Sequence, residues 1–228
     1  MDSWTVLPYL KNYFNRGRLK TIEVKIGNIK IGSNQPIRIQ SMTTADTMNT
    51  KKVLDECIRM IENGCEIVRL TAPSTKEAEH LAVIKTELVK RGYNTPLVAD
   101  IHFTPNAAEI AALHVEKVRI NPGNYADKKK FENIEYTIES YKSQLQRIES
   151  KFAPLVKLCK KNDVAMRIGT NHGSLSDRVL SRYGDTPEGM VQSAIEFLSI
   201  CEKYKYNSIV LSMKASNTLV MVQAYRLL

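Results

Sequence analysis

The chain has 228 residues, 43% of them hydrophobic and 25% charged, the proportions of a folded globular protein rather than a disordered, collagen-like or coiled-coil one. No apolar run approaches the ~18 residues of a membrane-spanning helix, and the length suffices for a sizeable core in one large domain or two small ones. Thirty-three Lys and Arg against 24 Asp and Glu leave a formal charge of +9, which favours an anionic partner.

The elements follow in chain order. Residues 1–19 form an N-terminal extension. Ile22, Val24 and Ile26 then alternate with polar residues as far as Gly27-Asn28, and Ile29 and Ile31 resume beyond, which predicts a β-hairpin on a two-residue turn. Residues 36–42 read as a strand. Residues 50–63 read as a helix, with Val53, Cys57 and Ile61 on one face and Gly64 as its stop. A strand over 65–71 is followed by Ser74-x-x-Glu77, a capping box that opens a helix ending at Gly92. Next come a strand over 96–102, an alanine-rich helix over 105–115 and a strand over 117–121. A longer helical stretch, about 128–160, is interrupted at Pro154. A strand over 164–169, a helix opened by Thr186-Pro187-Glu188, a strand over 207–213 and a helix from Ser216 complete the pattern.

Repeated strand–helix units imply an α/β fold with a parallel sheet. A closed (β/α)8 barrel takes eight units and about 250 residues. The expected fold is therefore a TIM-type (β/α)8 barrel truncated after about six strand–helix units, with an N-terminal β-hairpin. An open doubly wound sheet is the alternative. The barrel is favoured because polar strand ends recur on successive strands instead of gathering at one switch point.

Cys57, Cys65, Cys159 and Cys201 form no C-x-x-C pair, so the chain shows no zinc or iron–sulfur motif of its own. No secretory signal opens the sequence, and the expectation is a reduced, cytoplasmic protein with cysteines used mainly as core packing.

Much of the positive charge, from Lys128 to Lys161, is interleaved with acids and reads as the wet face of a long helix. The informative charges sit inside apolar runs: Arg69, Arg119 and Arg167 each lie between apolar neighbours on a strand. Lys214 ends a fourth strand, Asp100 and His102 share a fifth, and Gln40 lies on the first. In a parallel barrel the apolar neighbours face the helices and each Arg faces the axis. An unpaired interior charge costs several kcal/mol in order of magnitude. Asp100 alone does not balance those cations, so a bound anion is expected, and a guanidinium fork suits phosphate oxygens. The competing reading puts each Arg near the rim, paired locally or wet.

His102 and Asp100, two residues apart on one strand face, are the candidates for proton handling. Asn121 and Asn171 would fix hydroxyls or cap loops. Residues 171–178, rich in small and hydroxyl side chains, suit a backbone anion nest or a plain turn. No Walker loop, G-x-G-x-x-G fingerprint or Ser-His-Asp order occurs. A basic nucleic-acid-binding protein is a competing class. Its stacking aromatics are missing beside these arginines, and aromatics are 7% of the chain.

These stretches resemble the N-terminal half of the 4-hydroxy-3-methylbut-2-enyl diphosphate synthase family. The matches run from Lys20-Thr21-Ile22-Glu23-Val24 through residues 36–44 (Pro-Ile-Arg-Ile-Gln-Ser-Met-Thr-Thr), Val68-Arg69-Leu70-Thr71 and residues 97–103. They continue through residues 118–124 and 166–175 to Leu211-Ser212-Met213-Lys214-Ala215-Ser216. Thr43-Thr44 and Tyr183-Gly184-Asp185-Thr186-Pro187 resemble the larger, three-domain form found in plants and some bacteria.

The resemblance implies an oxidoreductase of the methylerythritol phosphate route to isoprenoids. It would open 2-C-methyl-D-erythritol 2,4-cyclodiphosphate with two electrons from flavodoxin or ferredoxin. It implies a 4Fe-4S cluster held by three cysteines and a glutamate in a C-terminal domain. No cysteine here matches that motif, so the ligands, and the insert and cluster domains, are expected outside this chain, which alone should be inactive. It also implies a homodimer when full length, and a diphosphate clamp on Arg69, Arg119, Arg167 and Lys214, with Asp100, His102, Asn121 and Asn171 around the substrate. No nucleic acid or membrane is expected as a partner. Another phosphate- or pterin-binding barrel remains the nearest alternative enzyme.

Overall fold

The structure is a computed structural model that describes residues 19–101, 104–125 and 136–228. Its centre is a six-stranded parallel sheet whose spatial order follows the chain: β3 (Gln40–Met42), β4 (Ile67–Thr71), β5 (Leu97–Asp100), β6 (Lys117–Ile120), β7 (Ala165–Asn171) and β8 (Ile209–Lys214). A doubly wound sheet reverses its strand order at a switch point. This one never does, so the curled, barrel-like reading holds.

Helices connect successive strands. They are α1 (Thr50–Glu62), α2 (Thr75–Lys90), α3 (Pro105–Ala111), the short α4 (Pro122–Tyr125), α5 (Ile138–Lys161), α6 (Asp177–Tyr183), α7 (Pro187–Lys203) and α8 (Thr218–Leu227). Local chemistry sets several boundaries. The Ser74 capping box is formed, with Glu77 accepting from the Ser74 backbone N–H at 3.1 Å. Gly64 and Gly92, at φ 89° and 88°, take the left-handed conformation that ends α1 and α2.

The two faces of the sheet divide the apolar residues. Val68, Leu70, Ala99, Val118, Ile120, Met166 and Ile168 face the helices in the main core. Ile67, Val98 and Ala165, near the strand starts, point the other way and pack on Val24 and Ile26 of the hairpin. That hairpin pairs β1 (Val24–Ile26) with β2 (Ile29–Ile31), antiparallel, around the expected Gly27-Asn28 turn. It gives the inner face an apolar floor at the N-terminal end of the strands.

Two expectations need correction. Only Gln40–Met42 of the strand expected over 36–42 joins the sheet; Ile37 is exposed, and Arg38 is drawn aside to Glu66 and the Lys30 carbonyl. Pro154 does not interrupt α5, because the buried stripe Ile148, Phe152, Leu155, Val156 and Cys159 packs continuously across it. Burial of that stripe outweighs the ~3 kcal/mol that an interior proline costs. Of the two readings of residues 171–178, the structure shows the turn: a 3-10 turn, His172–Ser174, leads straight into α6. The expected helical residues 128–135 lie outside the described residues.

All four cysteines are free and buried. Burial pushes the Cys57, Cys159 and Cys201 thiols up to about 12, so they pack as small apolar groups. Among the described residues no helix is long and apolar enough to cross a membrane.

Candidate anion site on the inner face of the sheet

Strand alternation carries every second side chain inward, and register stacks the inward ones. Asp100 stands opposite Thr71 and Arg119, and Arg119 opposite Arg167. One layer toward the floor, Val98 stands between Arg69 and Lys117. At the far rim Asn171 stands opposite Lys214. Arg69, Asp100, Arg119, Arg167 and Lys214, contributed by separate strands, thus share one face.

Asp100 organises the cations around it. Its Oδ1 accepts from Arg119 Nη1 at 3.0 Å, and its Oδ2 from Arg69 Nη2. The Asp100 side chain is 2% exposed and that of Arg119 5%, so this junction sits in a low-dielectric interior where pairing is obligatory. Arg119 Nη2 donates further to the Gly169 carbonyl at 3.1 Å.

Among the described residues Arg167 and Lys214 form no ion pair of this kind. Arg167 Nε is buried without a hydrogen-bond acceptor, as is Arg69 Nε. Burial, then the nearby Arg69, lower the proton affinity of Arg167. Burial and the charges of Arg119 and Arg69 likewise lower that of Lys214, at the exposed rim. One carboxylate therefore serves two guanidiniums, and among the described residues no carboxylate pairs with Arg167 or Lys214. The face carries an excess of positive charge aimed at a common space, which is the electrostatic shape of an anion site.

The neutral residues divide. Asn171 Oδ1 is buried and unpaired, open to a ligand hydroxyl. Asn121 is buried and engaged: its Nδ2 donates to Ser174 Oγ at 2.7 Å and its Oδ1 accepts from the Gly123 N–H at 3.3 Å. Asn121 thereby ties α4 to the 3-10 turn. Arg178 turns away from the site, donating to Glu196 Oε1 and Oε2 at 2.7 and 2.6 Å, so it fastens α6 to α7. His102 lies outside the described residues.

Two contributors escaped the sequence reading. Lys117 sits two residues before Arg119 and therefore on the same face, fully buried, with Nζ 3.2 Å from Gln40 Oε1. Parity with Arg119 on the strand was the available signal. Gly169 is the other, since a Cβ there would stand 2.7 Å from Arg119 Nε.

Among the described residues no group of three or more His, Cys, Asp or Glu is placed to hold a metal ion. The four cysteines are buried on separate elements, and the thiols of Cys57, Cys159 and Cys201 are pushed up by burial, so they do not fit an iron–sulfur cluster.

The family profile described as the GcpE TIM-barrel domain matches residues 21–228. Over 220 residues, 96% of the chain, the sequence is 56% identical to a 4-hydroxy-3-methylbut-2-en-1-yl diphosphate synthase (flavodoxin) of Leptospira interrogans, covering 33% of that protein. It is 53% identical over 221 residues, again 96% of the chain, to the chloroplastic, ferredoxin-type synthase of Arabidopsis thaliana, covering 30% of it. The chain thus spans about a third of the length of the curated relatives it matches. Among solved structures, a methylaspartate ammonia lyase of Clostridium tetanomorphum superposes with a TM-score of 0.51 at 12% identity, over 84% of this chain and 41% of that one. A phospho-2-dehydro-3-deoxyheptonate aldolase of Thermotoga maritima gives 0.50 at 13%, over 87% and 48%. At those identities the likeness concerns the fold alone.

Proposed function

The chain belongs to the GcpE TIM-barrel domain family, and on that premise we propose that its inner face binds the phosphates of 2-C-methyl-D-erythritol 2,4-cyclodiphosphate. In the whole enzyme the ring would be opened reductively to 4-hydroxy-3-methylbut-2-enyl diphosphate. The observation that carries this reading is the imbalance on the inner face, where Asp100 is shared by Arg69 and Arg119 while Arg167 and Lys214 pair with no carboxylate among the described residues.

The chemistry matches that imbalance. Ring opening breaks a carbon–oxygen bond to one phosphate while the diphosphate stays attached through its other end. Two electrons and one proton enter, water leaves, and a dianion becomes a trianion. Guanidiniums held in place by Asp100 and the Gly169 carbonyl need no reorganisation to meet the added charge, which is how preorganised donors lower a barrier. Holding both phosphates also fixes the carbon skeleton for reaction.

Arg69, Arg119, Arg167 and Lys214 would contact phosphate oxygens. Asn171 would take a hydroxyl, and Asn121 would shape the pocket wall through Ser174. Asp100, already accepting from two guanidiniums, would orient them, leaving His102 as the proton donor for the departing oxygen. The flavodoxin or ferredoxin named for the relatives would be the electron source, and the iron–sulfur cluster would have its ligands outside the described residues. A homodimer, a cytoplasmic location, the barrel assignment of residues 20–228, the N-terminal extension over 1–19 and the absence of nucleic acid as a partner belong to the same proposal.

The test is titration calorimetry of the full-length protein with the cyclodiphosphate. Arg119→Leu should weaken binding at least about tenfold, roughly 1.4 kcal/mol, measured below a thermal midpoint that falls because Asp100 is left with Arg69 alone. Unchanged affinity would overturn the clamp.

A further inference from the structure

Beneath the clamp lies a cation that the proposed reaction does not use. Lys117 is 1% exposed, among the most completely buried large side chains of the described residues. Its one hydrogen-bond partner is a neutral amide oxygen, Gln40 Oε1, at 3.2 Å. The residues around it make charging costly. The hairpin floor contributes Val24 and Ile26, with Ile67, Val98 and Ala165 beside them. The charged groups on the same inner face are Arg69 on β4, Asp100 on β5, Arg119 on β6, Arg167 on β7 and Lys214 on β8. Among the described residues Asp100 is the one anion of that set, and its oxygens already accept from Arg69 and Arg119. Burial first, then the repulsion of Arg167 and Arg69, lowers the Lys117 amine from 10.5 to about 7.

An amine in this position responds to whatever occupies the space above it. An anion bound by Arg167 and Arg69 cancels the repulsion those guanidiniums exert and adds an attraction of its own. We propose that Lys117 is a positioning residue of the phosphate site, a buried amine that gives up its proton readily in the empty barrel and holds it when a diphosphate binds, so that binding at and above neutral pH takes up a proton. The step is simple in balance: the Nζ lone pair accepts one proton from solvent and no other bond changes. The charge it gains would hold the Arg69 and Arg167 layer against the phosphates from below. This inference rests on the cyclodiphosphate reading and adds a proton-linked residue to it.

The cyclodiphosphate suits the test. Each of its phosphorus atoms carries a single strongly acidic hydroxyl, so the ligand does not titrate near neutrality and any proton uptake belongs to the protein. Calorimetry of the full-length enzyme near pH 7, in buffers of different ionisation enthalpy, counts the protons. The parent should take up about half a proton per site at pH 7, rising toward one as the pH is raised above it. Its affinity should be steady below about pH 7 and fall up to tenfold per pH unit above it. Lys117→Met should lose both the uptake and that pH dependence, whereas His102→Gln should keep the uptake. Should Lys117→Met fail to fold, uptake in the parent that persists in His102→Gln would still support the inference. Binding by the parent without uptake, uptake surviving in Lys117→Met, or uptake lost in His102→Gln would overturn it. No binding by the parent at all would overturn the substrate reading, and this inference with it.

Discussion

Arg119 lies so close against Gly169 that a β-carbon on the glycine would stand 2.7 Å from the guanidinium Nε. The missing side chain on β7 is what lets the arginine lie against the strand and reach the Gly169 carbonyl at 3.1 Å and Asp100 at 3.0 Å. Gly169→Ala should push Arg119 off both partners while leaving the sheet paired. The expected outcome is a loss of cyclodiphosphate affinity of about tenfold, roughly 1.4 kcal/mol. Calorimetry alongside circular dichroism checks it: weaker binding with an unchanged spectrum is expected.

Arg167 should show stability and binding pulling in opposite directions. Its Nε is buried without an acceptor, and burial together with Arg69 works against its charge. Replacing such a group by an apolar one of similar volume is neutral or stabilising. Arg167→Met should therefore hold or raise the thermal midpoint of the unliganded protein, while binding falls at least about tenfold. A lowered midpoint would mean that Arg167 has a partner the described residues do not supply.

Lys117 should leave its mark on stability as well. Its proton affinity is lowered in the folded state, from 10.5 to about 7, so between those pH values the unfolded chain binds the extra proton. Stability from this group therefore rises as pH climbs from 7 toward 10.5 and is weakest at and below 7. Relative to the parent, Lys117→Met should be most stabilised at neutral and acidic pH, by up to a few kcal/mol in order of magnitude, with the gap closing toward pH 10. Urea midpoints of parent and variant across that range measure it.

Away from the site, Arg178 and Glu196 form a bidentate pair whose side chains are 4% and 9% exposed, with Arg178 stacked 4.6 Å from the Tyr141 ring centre. Removing one partner of a buried pair costs about 3–5 kcal/mol, because the other charge is left in the interior. Glu196→Leu should lower the urea midpoint sharply, whereas Glu196→Asp should lose less. The parent's proton uptake on binding should persist in the Asp variant, since this pair lies on α6 and α7 and not on the inner face.

The alternation of apolar and charged residues determined a great deal without any coordinates. The period of two in Val68-Arg69-Leu70, Val118-Arg119-Ile120 and Met166-Arg167-Ile168 was enough to send the arginines inward and their neighbours to the helices. Capping at Ser74 and the turn at Gly27-Asn28 were equally legible, because hydrogen bonds and steric freedom within a few residues decide them. What the sequence did not carry was how those charges meet. That Asp100 is shared between Arg69 and Arg119, that Arg167 goes without, that Lys117 is sealed beneath them, and that Arg178 turns to Glu196 follow from strand register and burial. Register and burial are set by contacts between residues far apart in the chain. Periodicity assigns a side chain to a face, and only tertiary packing decides which charges share that face closely enough to neutralise one another, and which are left for a ligand.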